Sequence, residues 1–562
     1  MRLRLIKILA LSSAALLAAA PALAQSTRSQ SAVPTPQQLN PSQLTAQRQP
    51  ARANDIFAAP EPGPCPLSDS PLTFTLNSVT FTGATGAAAG RLADAYHGRL
   101  GQTVKVAEIC EIRDRAAAIL FSAGILARVE IPEQKIADGK LTLEVIEARI
   151  VSIHYHGDAG PAQAKVEEYL EKLRGLTPFD MNVAQRYLLL AADVPGVQIS
   201  AAIRPSPEGR GAVDLDVTIK RKVVDTAVNV QNFGSTQLGP WAVLGRVDLK
   251  ALTPFGDRSA LVVYSTTDGE EQKIIQWIEE FRPGDSGLIL RGSASYAHTE
   301  PGGNLEELKL RGDALDVELT ANYPLVRRRR VNLNLIGGFA YVDQNTDYPG
   351  GVPLIDDKLR IVYLRAETTL HTPLMGMPLD GAFDLEQRKG LDGLGASRMG
   401  QADLSRAQGD PDAWVTRVDG HLTLDPARWF EFYVGGQYQY ADRPLLTYEQ
   451  LALGNLTIGR GYDPSSVSGD RGGAASFEAR FGPARLPWGV LATTYGFFDV
   501  GNAYFVDTRQ GTTVRSAGGG LRFSSPLGFD LDVGYANPFD KAYPTAQSRP
   551  PPRILFTLTY RR

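Results

Sequence analysis

Histidine and cysteine are scarce, with six of the first and two of the second in 562 residues. The histidines are scattered and suggest no triad, no G-x-S-x-G nucleophile elbow occurs, and nothing resembles a phosphate-binding loop. No catalytic residue, cofactor site or cofactor is therefore expected. Two cysteines fall short of the usual zinc ligand set, and His154 and His156, on one face of a strand, have no evident third ligand, so no metal site is expected either. An excess of charge is also missing: the formal net charge of −3 gives no global field directed at nucleic acid. Beyond the first 24 residues no stretch has eighteen uninterrupted apolar residues, so any crossing of a membrane falls to β-strands.

Glycine and aromatics are plentiful, with 55 Gly, 20 Tyr and 21 Phe, which favours β-structure with many turns. Residues 1–24 read as a secretory signal, with Arg2, Arg4 and Lys7 before an apolar run to Ala20 and an A-x-A site at Ala22 to Ala24. Export permits disulfides. Cys65 and Cys110 are the candidate pair, closing a loop of about 45 residues worth about 4 kcal/mol in the chain-entropy account; two unrelated buried thiols are the alternative. Residues 25–70 form a polar linker too poor in large apolar residues to build a core. A short polar helix is possible at 37–49, with Pro41 inside it.

Two units with the same order of elements follow, at 71–147 and 148–222. The first reads as a strand at 74–82, helices at 87–97 and 106–123, and strands at 126–131 and 141–147. The second has a strand at 149–156, helices near 162–173 and 182–192, and strands at 197–204 and 213–220. Ile109, Ile112, Ala116, Ile119 and Leu120 mark one apolar helical face. A tandem β-α-α-β-β pattern is a repeated module.

From 223 to 562 helical periodicity gives way to segments of about ten residues with dyad alternation. Phe529, Leu531, Val533 and Tyr535 alternate with Asp530, Asp532 and Gly534, and Ile554, Phe556, Leu558 and Tyr560 share a face of the last segment. Sixteen such segments fall between 224 and 560. Connections after even-numbered segments are mostly short, whereas most of those after odd-numbered ones are long, the arrangement of an antiparallel transmembrane β-barrel and not of a sandwich. The basic run Arg327 to Arg330 falls in one short connection and reads as a solvated turn, with contact to a client or to a module surface as the alternative. Arg311, Gly312 and Asp313 read as a chance tripeptide in a charged loop. The long connection at about 441–472 is the most unusual, since Gly459, Arg460, Gly461 and Tyr462 place a guanidinium and an aromatic ring between freely turning residues.

With modules and barrel in that order, the chain resembles two-partner secretion transporters of the haemolysin-activator and filamentous-haemagglutinin-exporter type. Residues 132–150, PEQKIADGKLTLEVIEARI, resemble the segment closing one polypeptide-transport-associated (POTRA) domain and opening the next. Gly459 to Tyr462 resembles the family's R-G-Y/F loop motif, with Gly459 in place of the common valine. Phe497, Asp499 and Gly501 match its F-x-D-x-G strand motif. The resemblance implies two POTRA modules in the periplasm, a 16-stranded barrel in the lipid of the outer membrane, and a sixth outer loop folded inward so that Arg460 pairs with Asp499. It implies a large secreted exoprotein client, an elongated β-helix, captured by the modules, and no nucleic acid. Family members also carry a lumen-plugging helix before the modules, for which residues 26–60 have room. An insertase for other barrels and a solute porin are the rival readings; two modules with a cysteine pair favour secretion over the first, and a porin has no need of modules.

Overall fold

The computed structural model describes residues 35–42, 64–84, 89–176, 179–543 and 546–562. The expected signal segment and most of the linker lie outside them. Within the linker a single turn, α1 (Pro36–Leu39), is described, where Gln38 Oε1 accepts from the Thr35 N–H at 2.9 Å and proline occupies the first helical position.

In the first module, the segment read as one strand is two, β1 (Thr73–Thr75) and β2 (Ser78–Thr82). They have different partners: β1 pairs with β3 (Thr103–Lys105), while β2 pairs in parallel with β5 (Lys140–Glu147), which also pairs with β4 (Ala127–Glu130). Leu76, between β1 and β2, turns fully into the core. Of the helix expected at 87–97, residues 87 and 88 lie outside the described residues, Ala89 is helical, and Leu92–Tyr96 form a 3-10 segment. The long helix α2 (Glu108–Ser122) buries Ile109, Ile112, Ala116 and Leu120 against this sheet, at the spacing of one helical face.

The second module comprises β6 (Arg149–Gly157), α3 (Gln163–Glu171), α4 (Met181–Ala192), β7 (Val197–Pro205) and β8 (Ala212–Arg221), with sheet order β6-β8-β7. Asp180 caps α4 by accepting from the Asn182 N–H at 2.7 Å. Val166, Tyr169, Leu170, Leu188, Leu215 and Val217 close its core. His154 and His156 face Asp214 and Asp216 on the adjoining strand, 3.9 and 3.5 Å away.

The barrel opens with β9 (Val224–Gln231), β10 (Ala242–Lys250), β11 (Arg258–Thr266), β12 (Gln272–Phe281) and β13 (Ile289–Thr299). Longer strands follow: β14 (Arg311–Arg327), β15 (Val331–Tyr348), β16 (Val352–Leu374), β17 (Met377–Gly390), β18 (Trp414–Ala427) and β19 (Phe430–Ala441). A two-stranded ribbon, β20 (Leu451–Leu453) with β21 (Val467–Gly469), lies in the next connection. The chain then returns to the wall as β22 (Arg471–Arg485), β23 (Leu491–Tyr504), β24 (Gly511–Ser524), β25 (Phe529–Pro538) and β26 (Arg553–Arg561). These sixteen wall strands close antiparallel, β26 meeting β9. Dyad alternation turns Val263, Ile275, Trp277, Leu364 and Phe383 outward as an exposed apolar surface, while Gln276, Arg388, Glu478 and Asp499 are buried on the other face.

One reading in the barrel needs correction, and for one turn the alternative reading is the one found. Arg311 to Asp313 is not a loop but the start of β14, with Asp313 accepting from Tyr296 Oη at 2.5 Å and lying 2.9 Å from His298 Nδ1. The Arg327 turn is not simply solvated, because it faces α4 of the second module. Arg327 donates from Nε and Nη2 to Asp193 at 2.6 Å each, and the Arg329 N–H reaches Gln185. Neighbouring turns are held likewise: Lys165 donates to the Gly284 carbonyl at 3.0 Å, Arg186 to those of Pro324 and Ser286 at 2.6 and 3.0 Å, and Arg221 to that of Ala251 at 2.7 Å. The second module thus packs against the end of the barrel that carries the short turns.

Candidate functional site

The connection between β19 and β22, residues 442–470, folds into the barrel instead of away from it. Backbone geometry permits this at its tip. Gly459 has φ +124°, a conformation that residues with a side chain rarely adopt. Gly461 is needed for a different reason: a Cβ there would stand 2.8 Å from Ser516 Cβ and 3.0 Å from the Pro538 nitrogen. The tip is therefore pressed onto β24 and β25.

Arg460, between these glycines, meets the wall with four donor contacts. Nε and Nη2 engage the two oxygens of Asp499 at 3.0 and 2.8 Å, a bidentate fork, while Nη1 reaches Glu478 at 2.6 Å and Nη2 also reaches Ser476 Oγ at 2.8 Å. Its own backbone N–H adds a bond of 3.0 Å to Asp499. The guanidinium lies 3.5 Å from the centre of the Phe497 ring, stacking as a cation on a π face. Asp499 is only 1% exposed, and besides these donors it accepts from Ser476 Oγ at 2.7 Å. Register explains the assembly, since Ser476 on β22 stands opposite Asp499 on β23, and Glu478 opposite Phe497.

Tyr462 follows, 1% exposed, donating to the Arg515 carbonyl at 2.9 Å and accepting from the Asp540 N–H at 3.0 Å. Gly501, at the end of the strand motif, leaves room for the ribbon β20–β21: a Cβ would come 2.9 Å from Leu453 Cδ1. Arg460, Gly461, Tyr462, Phe497, Asp499 and Gly501 thus form one contiguous contact between loop and wall. Glu478, Ser476 and Ser516, which receives the Gly461 N–H at 3.2 Å, belong to it as well. They are absent from the short motifs; the signal that identifies the first two is the polar file Ser476, Glu478, Arg480 at every second position of a wall strand. Glu478 also accepts from Arg480 and Arg522, at 2.5 and 2.6 Å, which balances its buried charge.

Cys65 and Cys110 lie outside this site. They form a disulfide with a Cα–Cα distance of 5.7 Å, tying the end of the linker to the first turns of α2. Inside the barrel, Leu39 of α1 shares an apolar cluster with Leu404, Leu446 and Tyr448 and with wall residues such as Leu244 and Val262. Asn40 and Ser42 accept from Gln276 and Arg246 at 3.1 and 3.4 Å. The inward loop therefore shares the lumen with this N-terminal segment and with the β17–β18 connection.

Residues 209–523 match the family described as haemolysin secretion/activation protein ShlB/FhaC/HecB, and residues 74–148 match the POTRA domain of ShlB type. Among curated relatives, the heme/hemopexin transporter protein HuxB of Haemophilus influenzae is 21% identical over 470 residues, 78% of this chain and 79% of its own. Among solved structures, CdiB from Escherichia coli superposes with a TM-score of 0.72 at 17% identity, covering 90% of this chain and 93% of that one. BamA from Haemophilus ducreyi lacking POTRA domains 1–3 gives 0.52 at 12% identity, covering 87% and 100%. Both structural likenesses concern the fold.

Proposed function

The chain belongs to the haemolysin secretion/activation family ShlB/FhaC/HecB, and from that premise we propose that the inward loop, held by Arg460 and Asp499, closes the export path at rest and keeps the barrel competent to open. The protein is an outer-membrane transporter of two-partner secretion, with its barrel in the membrane and its POTRA region in the periplasm. What it exports is an exoprotein.

The observation that carries the role of the loop is the complete engagement of a buried carboxylate by one loop arginine. In such a pair the loss of one partner costs about 3 to 5 kcal/mol, less where water reaches it. The client is a large chain that enters extended and folds outside into an elongated β-structure. Its capture falls to units 71–147 and 148–222, whose outer strands β2, β4, β6 and β7 offer backbone hydrogen bonds that tolerate varied sequence. The wall of the lumen carries charges of both signs, among them the pairs of Arg365 with Glu386 and Arg522 with Asp532. Transport draws on folding of the client outside the cell, and the chain works without catalysis of its own.

The test is to compare culture medium from wild type, a deletion strain, and strains carrying Arg460→Ala or Asp499→Ala. One large protein is expected to vanish from the medium in all three altered strains, while both variants still yield a heat-modifiable barrel in the outer membrane. Near-normal export by both single variants would overturn the role given to the loop.

A further inference from the structure

The inward loop is held at its base as well as at its tip. A 3-10 turn at Thr447–Glu449 brings Glu449 to β17, where Arg388 donates to its two oxygens from Nε and Nη2 at 2.9 and 3.0 Å. Arg388 donates in addition to Glu386 at 2.9 Å. From β18 and β19, Arg417 and Gln439 donate to the Glu449 carbonyl at 3.0 and 2.9 Å. Tyr448 beside it donates to Asp316 on β14 at 2.7 Å. The tip rests on β22 to β25; the base rests on a different arc of the wall.

Glu449 and Arg388 are each 6% exposed. As permanent adhesive a buried ion pair is a poor choice, since well-packed apolar residues of similar volume do as well or better. As a contact that must separate it is a good one, because both partners are readily solvated once water fills the lumen, whereas an apolar seam would remain exposed. The two anchors share no side chain, so each can release while the other holds.

We propose that Arg388 and Glu449 form a base latch which keeps the foot of the loop across the lumen independently of Arg460, and whose release widens the pore for the client. They are positioning residues. The proposal rests on the reading of the loop as the closure of the pore, and the experiment separates the two.

Purified full-length protein is placed in planar bilayers and its ion conductance is recorded for wild type, Glu449→Gln, Arg388→Gln, Arg460→Ala and the Glu449→Gln/Arg460→Ala double variant. Folding is checked in each by heat-modifiable mobility. The two base variants are expected to raise the fraction of time in high conductance by about tenfold, the factor corresponding to 1.4 kcal/mol. The double variant is expected to exceed either single one, as independent anchors require. If Arg460→Ala opens the pore while Glu449→Gln and Arg388→Gln, both folded, stay at the wild-type level, the base latch is overturned and the closure reading stands. If no variant alters conductance, the closure reading fails and the latch fails with it.

Discussion

Arg460 is suited to its position by shape more than by charge. Asp499 takes two of its nitrogens at once, Glu478 and Ser476 take the remaining bonds, and the flat group still stacks on Phe497. A lysine retains the charge but has neither the fork nor the planar face. Arg460→Lys is therefore expected to lose export nearly as fully as Arg460→Ala, measured as exoprotein in the medium; wild-type secretion by the lysine variant would mean that charge alone suffices. A second residue links the outer loops to pH. Glu271 lies between the 232–241 and 300–310 connections, close enough that a Cβ on Gly239 or Gly302 would collide with it. Burial, helped by Asp268 and Glu306, pushes its carboxyl up to about 7 from 4.5. Folded protein thus keeps a proton that unfolded protein has lost, so this contribution is greatest in acid and declines as pH rises from about 4.5 to about 7. Protection from hydrogen exchange at residues 267–271, taken relative to the intrinsic rate at each pH, is expected to fall over that range, and Glu271→Gln should flatten the change. The two ends of the tip contact could be named from the sequence because each sits in a short motif. Glu478 is marked only as one polar position in the file Ser476, Glu478, Arg480, and Glu449 not at all, since a lone carboxylate in a loop is locally identical to a solvated one and only the closed barrel shows what faces either.

At the scale of elements, dyad alternation located the wall strands because lipid demands an apolar residue at every second position. It missed the extra length of β15, where the strand continues with polar residues on both faces from Asp343 to Asp347. It also missed β20 and β21, three residues each, too short for any period to register. The division of the first strand into β1 and β2 was hidden because both halves have strand-like composition and differ only in partner. Helix α2 was legible from its apolar face, but what secures it is covalent, through Cys110 to Cys65. Removing a native disulfide from a small exported domain typically costs about 2–5 kcal/mol. Replacing both cysteines by serine is expected to move the helical unfolding transition of the full chain in detergent to lower temperature while the barrel keeps its heat-modifiable shift. An unchanged transition would mean that the core around Leu120, Leu141 and Leu143 is sufficient by itself.

For the whole molecule, the decisive relation is between the modules and the mouth of the barrel. A client captured at a module edge reaches the lumen at a rate set by its effective concentration there, which depends on how narrowly the module is positioned. The positioning contacts include bonds to backbone carbonyls of three turns, the bidentate pair of Arg327 with Asp193 and the ion pair of Lys172 with Asp285. Beside these bonds Ala251 of the β10–β11 turn is buried in the apolar core of the module, so the joint is polar at its rim and apolar at one point. Asp193→Ala removes the charged partner and leaves Arg327 facing the end of α4. Electron-spin distances between labels on α4 and on the 328–330 turn are expected to broaden. Export is expected to fall while bilayer conductance stays at the wild-type level, because the contacts of Arg460 and Glu449 lie elsewhere. Broadened distances with undiminished export would mean that the client needs only to be tethered near the pore, and that the fixed angle between module and barrel serves assembly of the transporter instead of its traffic.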